Sequence, residues 1–381
     1  MLRLVFERVL ATDRVTAWTL LADPAAMNTW STARIESIAL GDGDHPGGVG
    51  ALRRVRLPRG GALTEVIERV DAPGRLEYRV IAGAPVRSHR GVVELVDAGP
   101  GTQLRWTVEI EPVTRALEPV IRRLLARELA RSLDRLVAIA PTTRSGALPP
   151  HRTSDADAEL PALRRAALAV AAGQGDLADE LAARQDARAA FARVYHHVTR
   201  AIAAAVAADR FDHPGWVYRL VPVFDRYFTA AIAAPAGAAE PHWQRAFDRL
   251  ARVQARGATS FELAMHAVHA GMRAHIEHDL PRTLAGVYVE HYGARAGRAA
   301  ACDPARFRAD YLRMAGVFQL AADALMSEIP RRDWTARARV IDALTPTALR
   351  AGLIDRHFYP ITRERARAFE AGTLMARMIA P

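Results

Sequence analysis

The residues best equipped for chemistry lie in one stretch, Phe261 to Pro281, which carries four histidines between His266 and His278. Projected at 100° per residue on a helix, His275 and Asp279 fall one turn apart, with Val268 and Met272 on an apolar face, while His278 lies off it. An inward His–Asp pair supports three chemistries. It can be structural, the carboxylate accepting the imidazole N–H and orienting helices. It can provide two ligands of a single metal ion, which would need further ligands such as His196 from neighbouring helices. It can also be a general acid/base, the carboxylate setting the imidazole tautomer. Glu262, His266, His269 and Arg273 share a separate polar face; its i,i+3 histidine pair with Glu262 could bind a metal, but the face is read rather as solvated or turned to a second domain, and Arg273 is its candidate for ligand binding.

Two neighbouring segments supply inward polar groups. Around Phe191 to Thr199, Tyr195 and Thr199 lie on the apolar face, with His196 at its edge. In Trp216 to Tyr227, Tyr227 faces in and Asp225 borders that face. The catalytic candidates are therefore His275, Asp279, Tyr195, Asp225 and Tyr227, and the metal candidates His275, Asp279 and His196. Facing helices of a bundle build sites from such groups. The spacing matches neither the Glu plus Glu-x-x-His set of di-iron bundles nor a His-Glu-x-x-His zinc motif.

Composition narrows the chemistry further. All 52 basic residues of the 381-residue chain are arginine, and about a fifth of the chain is alanine. With no lysine, Schiff-base and P-loop lysine chemistry are excluded. One cysteine, Cys302, excludes an intramolecular disulfide and fits a reducing, cytoplasmic setting. The net charge of +10 invites a nucleic-acid partner, but the arginines alternate with Asp and Glu (Arg188, Arg193 and Arg200 beside Asp186 and Asp209), so none is expected. No apolar run reaches the length of a membrane span, so no membrane insertion is expected. A homodimer is compatible with the sequence.

The elements that must position these groups read as an α+β chain in two domains. In residues 1–140 a strand (Leu2 to Leu10) and a helix capped at Thr12-Asp13 and ended near Pro24 precede short alternating segments. These are Ala33–Leu40, Gly50–Leu57, Ala62–Val70, Arg75–Ile81, Ser88–Val96 and Thr102–Ile110, an antiparallel meander. A long amphipathic helix, Val113–Ala140, closes the domain at Pro141. Residues 141–161 form a linker rich in Pro, Ser, Thr and Asp. Residues 162–381 read as an all-α bundle, with helices expected at Pro161–Ala172, Gln185–Asp209, Pro214–Ala233, Pro241–Ala255, Ser260–Asp279, Pro281–Tyr292, Ala305–Glu328 and Pro346–Ala380.

Phe6 to Val9, the helix with Trp18, Leu21, Asp23-Pro24 and Trp30, the run Gly47 to Arg54, and Leu76 to Arg79 resemble, in this order, the helix-grip fold of the START and polyketide-cyclase superfamily over residues 1–140. The resemblance implies a sheet wrapped on the long helix around a hydrophobic small molecule. Trp30, Tyr78 and Trp106 are then the candidate liners and Arg79 or Arg54 the polar anchors, although the tryptophans also suit plain core. His45 and His89 are expected to face solvent. Val194 to Thr199, Phe224 to Tyr227 and Gly271 to Pro281 resemble domain-of-unknown-function family 5995 over about residues 185–330, departing where Arg273 replaces the usual asparagine. Together the two halves imply a specialised-metabolism cyclase or dehydratase acting on a polyketide- or terpenoid-like molecule, a non-catalytic carrier or sensor, or a metal-dependent enzyme.

Overall fold

The computed structural model describes residues 1–58, 61–142, 159–235, 237–293, 302–344 and 359–379. Most of the expected linker, and the start of the helix expected from Pro346, lie outside these residues. The chain forms two compact units, Met1–Thr153 with Cys302–Ala309, and Ser154–Ala301 with Asp310–Pro381.

The first unit is built on one antiparallel sheet. Its strands are β1 (Leu2–Leu10), β2 (Arg34–Ala39), β3 (Leu52–Arg56), β4 (Ala62–Asp71), β5 (Arg75–Ala82), β6 (Val86–Ala98) and β7 (Gly101–Pro112), in the order β1-β7-β6-β5-β4-β3-β2. Alternation explains which face is buried: Leu104, Trp106, Val108 and Ile110 of β7 turn inward, and Gln103 and Arg105 turn out. Asp13 caps α1 (Arg14–Ala22) by accepting the Val15 and Thr16 N–H groups at 2.9 Å. Pro24 opens a second helix, α2 (Pro24–Trp30), where the sequence reading ended the first; its missing N–H costs nothing in a first turn. Helix α3 (Glu118–Ile139) buries Leu133 and Leu136 in the core it shares with Leu2, Leu10 and Trp30. Residues 113–117, expected in this helix, instead continue from β7 through a single 3₁₀ turn.

The second unit is helical: α4 (Leu160–Ala183), α5 (Ala189–Ala207), α6 (Pro214–Ala233), α7 (Pro241–Gln254), α8 (Ser260–Ala274), α9 (Leu280–His291), α11 (Ala315–Glu328), α12 (Ala336–Leu344) and α13 (Ile361–Ile379), together with residues 310–313 of α10 (Arg308–Arg313). Helix α4 runs through Gly173 and Gly175, where the sequence reading stopped it. A capping box of Thr259 and Glu262 starts α8. Between α8 and α9 the chain takes a π-helical turn, His275–Asp279, instead of ending one helix and beginning another. Pro281 explains it. A proline cannot donate and its ring crowds the carbonyl four residues back; the widened turn relieves both.

Candidate functional site

The π turn carries the site. His275 and Asp279 both point inward, at 3% and 0% exposure. His275 Nδ1 lies 2.8 Å from Asp279 Oδ2. Burial alone would raise the Asp279 pKa, but the His275 hydrogen bond and charge, then Arg282 and His242, hold it below the ordinary carboxylate value. The carboxylate is thus an acceptor, and Nδ1 carries the proton. Asp279 collects three more donors: Trp243 Nε1 at 3.0 Å on Oδ2, and His242 Nε2 at 2.9 Å and Arg282 Nη2 at 2.6 Å on Oδ1.

Burial pushes the His275 pKa down, and Asp279 only partly offsets this, so the ring is neutral near pH 7. Its Nε2 therefore presents a lone pair. That atom is buried and has no hydrogen-bond partner among the described residues, and neither has the buried hydroxyl of Tyr195. The two rings meet edge to face at 5.0 Å. Phe224 stacks on the imidazole at 3.5 Å, and Phe191 and Trp243 complete an aromatic wall. Phe191 can come this close because residue 271 is glycine: a Cβ there would lie 2.2 Å from the ring. Burial, then the charges of Asp225 and Asp279, keeps the Tyr195 hydroxyl protonated well above its usual pKa. Asp225 is half-buried, accepts from Gln174 Nε2 at 2.8 Å and is pushed up by burial.

Of the remaining candidates, Tyr227 borders the site through Arg282 and the others go elsewhere. Tyr227 lies under the Arg282 guanidinium at 4.4 Å. His196 Nδ1 lies 2.6 Å from the Ala171 carbonyl oxygen, so it serves α4 and does not join the His275 pair. Among the described residues no group of three or more His, Cys, Asp or Glu side chains is arranged to hold a metal ion. Arg273 is exposed and pairs with Glu277 at 3.2 Å on the far side of the helix. Sequence reasoning missed His242, Trp243 and Arg282. The signal was present: His242, Ala246 and Leu250 form one buried stripe on α7, and a histidine in such a stripe needs a partner.

In the first unit Trp30, Tyr78 and Trp106 do converge. Trp106 Nε1 donates to the Tyr78 hydroxyl at 3.0 Å, and Trp30 packs edge-on against Trp106 at 6.4 Å. The expected anchors are corrected. Arg54 is exposed, and its neighbour Arg53 is the buried arginine, 3.4 Å from Glu65 and over the Tyr78 ring; one residue along a strand exchanges the faces. Arg79 follows Tyr78 on β5, so by the same alternation it leaves the face of that ring, and Glu68 holds it at 2.7 Å. His89 does not face solvent either. It packs on Tyr78, accepts the Val80 N–H, and is held at a pKa of about 4 by burial and then by Arg79. His45 is half-buried and accepts the Gly47 N–H at 3.0 Å.

The fold and these sites define a helix-grip unit joined to a helical unit with a buried polar centre. Residues 1–140 match the family described as polyketide cyclase / dehydrase and lipid transport. Residues 169–370 match the family of unknown function DUF5995, and the chain belongs to that family. The departure at Arg273 leaves that membership intact. No curated protein matches the chain. Similar solved structures include norcoclaurine synthase from Thalictrum flavum in complex with dopamine and hydroxybenzaldehyde, at 18% identity over 38% of this chain and 89% of that one, with a TM-score of 0.31. A protein from Thermobifida fusca solved by NMR gives 20%, 39%, 100% and 0.32, and one from Chromobacterium violaceum 19%, 36%, 96% and 0.29. Among the described residues no helix is long and apolar enough to cross a membrane.

Proposed function

We propose that the protein is a cyclase- or dehydratase-like catalyst of proton transfer on an apolar small molecule of polyketide- or terpenoid-like character. The helix-grip unit binds such a molecule and the helical unit supplies acid and base. One observation carries the reading: the neutral, Asp279-held His275 has a buried Nε2 without a partner among the described residues, beside the Tyr195 hydroxyl, equally unpartnered there. A purely structural pair would satisfy both ring nitrogens. In the proposed step Nε2 takes a proton from carbon, Asp279 stabilises the imidazolium that forms, and the Tyr195 hydroxyl donates to the oxygen on which negative charge develops.

The test uses 5-nitrobenzisoxazole, an apolar carbon acid. Loss of its ring C–H proton to a base breaks the N–O bond and releases a coloured cyanonitrophenolate. The wild-type protein is expected to turn it over saturably, and His275→Gln to lose roughly 10²-fold or more of that rate. A wild-type rate no higher than that of His275→Gln sinks the catalytic reading. The aromatic cluster of Trp30, Tyr78 and Trp106 favours a second reading, a non-catalytic carrier, under which His275→Gln binds an apolar ligand as the wild type does.

A further inference from the structure

A cavity of about 350 Å³ lies on the side of the helical unit served by Arg273, between the end of α8 and the start of α13. That volume suits a small metabolite. Three guanidiniums line it, from Arg273, Arg363 and Arg367, with two carboxylates, Glu277 and Glu364. The carboxylates are already engaged. Glu364 accepts from Arg363 Nε at 2.9 Å and from Arg367 Nη1 at 2.9 and 3.2 Å. Glu277 Oε1 accepts from Arg273 Nε at 3.2 Å and from the Tyr359 hydroxyl at 3.3 Å.

The arginines are not used up in the same way. Among the described residues, both terminal nitrogens of Arg273 and of Arg363, and Nη2 of Arg367, have no protein partner. Planar forks with unused N–H groups fit the oxygens of a carboxylate or phosphate. The 19-residue helix α13 begins here and adds its positive end. The local field agrees: the His269 imidazole, in the same lining, is held below its ordinary pKa first by burial and then by Arg249 and Arg273.

We propose that this cavity is a binding site for a small molecule bearing an oxyanion group, a phosphate or a carboxylate, gripped by Arg273, Arg363 and Arg367. The site stands apart from the His275 chemistry and does not depend on it.

Isothermal titration of the full-length protein with inorganic phosphate, and separately with citrate, tests the proposal and distinguishes the two sources of oxyanion. Saturable binding of at least one anion is expected, weakened about tenfold or more in the Arg363→Gln/Arg367→Gln double variant. Arg122→Gln removes a comparable surface arginine paired with Glu118 on α3, and is expected to bind as the wild type does. Glu364→Gln releases the two arginines from their carboxylate and is expected to bind more tightly, an effect that misfolding cannot imitate. If neither anion saturates in the millimolar range, the proposal fails. It fails equally if the double variant matches the wild type, since the anion is then not held by these arginines, or if Arg122→Gln weakens binding as much as the double variant does, since that reduces the effect to net basic charge.

Discussion

Asp279 is the residue on which the interior of the helical unit turns, because four donors from α7, the π turn and α9 end on its two oxygens. Asp279→Ala removes the acceptor of all four; the Arg282 guanidinium keeps Glu240 through Nη1, but the His242, Trp243 and His275 N–H groups lose the partner described for them. A loss of about 3–5 kcal/mol is expected in urea unfolding. His275→Phe removes a single donor and keeps the stacking on Phe224, so its loss should be about 1–2 kcal/mol; equal costs would contradict the central role of the carboxylate. The same residues fix the pH dependence. The pKa values of His275 and Asp279 are both lowered in the folded state, so the unfolded chain binds more protons. Their stabilisation is therefore present above the ordinary values and lost as pH falls, beginning for the histidine below about 6.5. His89, held at about 4, loses its share across the window from its ordinary 6.5 down to that value. In urea midpoints taken from neutral pH to pH 4, His89→Phe should show a shallower decline than the wild type; an unchanged slope would show that His89 is not held neutral by the fold. At this scale the sequence was partly legible. Helical periodicity put His275 and Asp279 inward, whereas a one-residue ambiguity of strand register named Arg54 in place of Arg53.

The π turn is what the helical projection could not contain, since 100° per residue has no place for an extra residue. The Leu280 N–H reaches back to the His275 carbonyl, five residues away, and the His275–Asp279 pair sits inside that widened ring. Deleting Glu277 together with Pro281→Ala removes both the extra residue and the ring that the widened turn accommodates, so a regular helix with near-wild-type helicity by circular dichroism is expected, while the His275–Asp279 spacing is broken. Turnover of 5-nitrobenzisoxazole is then expected to fall to the level of His275→Gln; a folded variant that keeps its turnover would detach the site from the turn. Gly271 tests the wall in the same way. A methyl group there meets Phe191 at 2.2 Å, and Gly271→Ala should cost about 1–3 kcal/mol in thermal or urea unfolding by overpacking. Where the pattern was strong, as in β1, β7 and α6, the elements matched what the sequence implied. The misreadings cluster at proline and glycine: Pro24 opens a helix, Pro281 widens one, and Gly173 and Gly175 do not stop α4.

Over the whole molecule, an all-arginine basic complement becomes a set of forked ion pairs: Arg75 and Arg90 on Glu77, Arg188 on Asp186, Arg282 on Asp279. The more exposed pairs, such as Arg122 with Glu118 and Arg87 with Glu111, contribute about 0–1 kcal/mol each, so the abundance of arginine does not itself explain stability. A buried arginine with backbone acceptors is a different matter. Residues 302–309 belong to the first unit although some 150 residues of helical sequence precede them, and nothing in their local pattern marks this, because the contact is a matter of backbone fit. Arg308 is 4% exposed and donates through Nη1 to the carbonyls of Leu40 and Gly50, both at 2.7 Å. Gly50 has φ of +82°, and a Cβ on it would lie 2.0 Å from the Ala305 carbonyl oxygen, so the close approach demands glycine. Removing the guanidinium in Arg308→Ala strips both carbonyls of that donor, at roughly 1–3 kcal/mol for the buried Gly50 acceptor and less for the part-buried Leu40 one. The loss should therefore appear far from the substitution in sequence. Hydrogen exchange read by mass spectrometry is expected to accelerate in peptides covering residues 40–52, with peptides from α5 unchanged. Acceleration confined to residues 302–313 would mean that the segment rests on the first unit without supporting it.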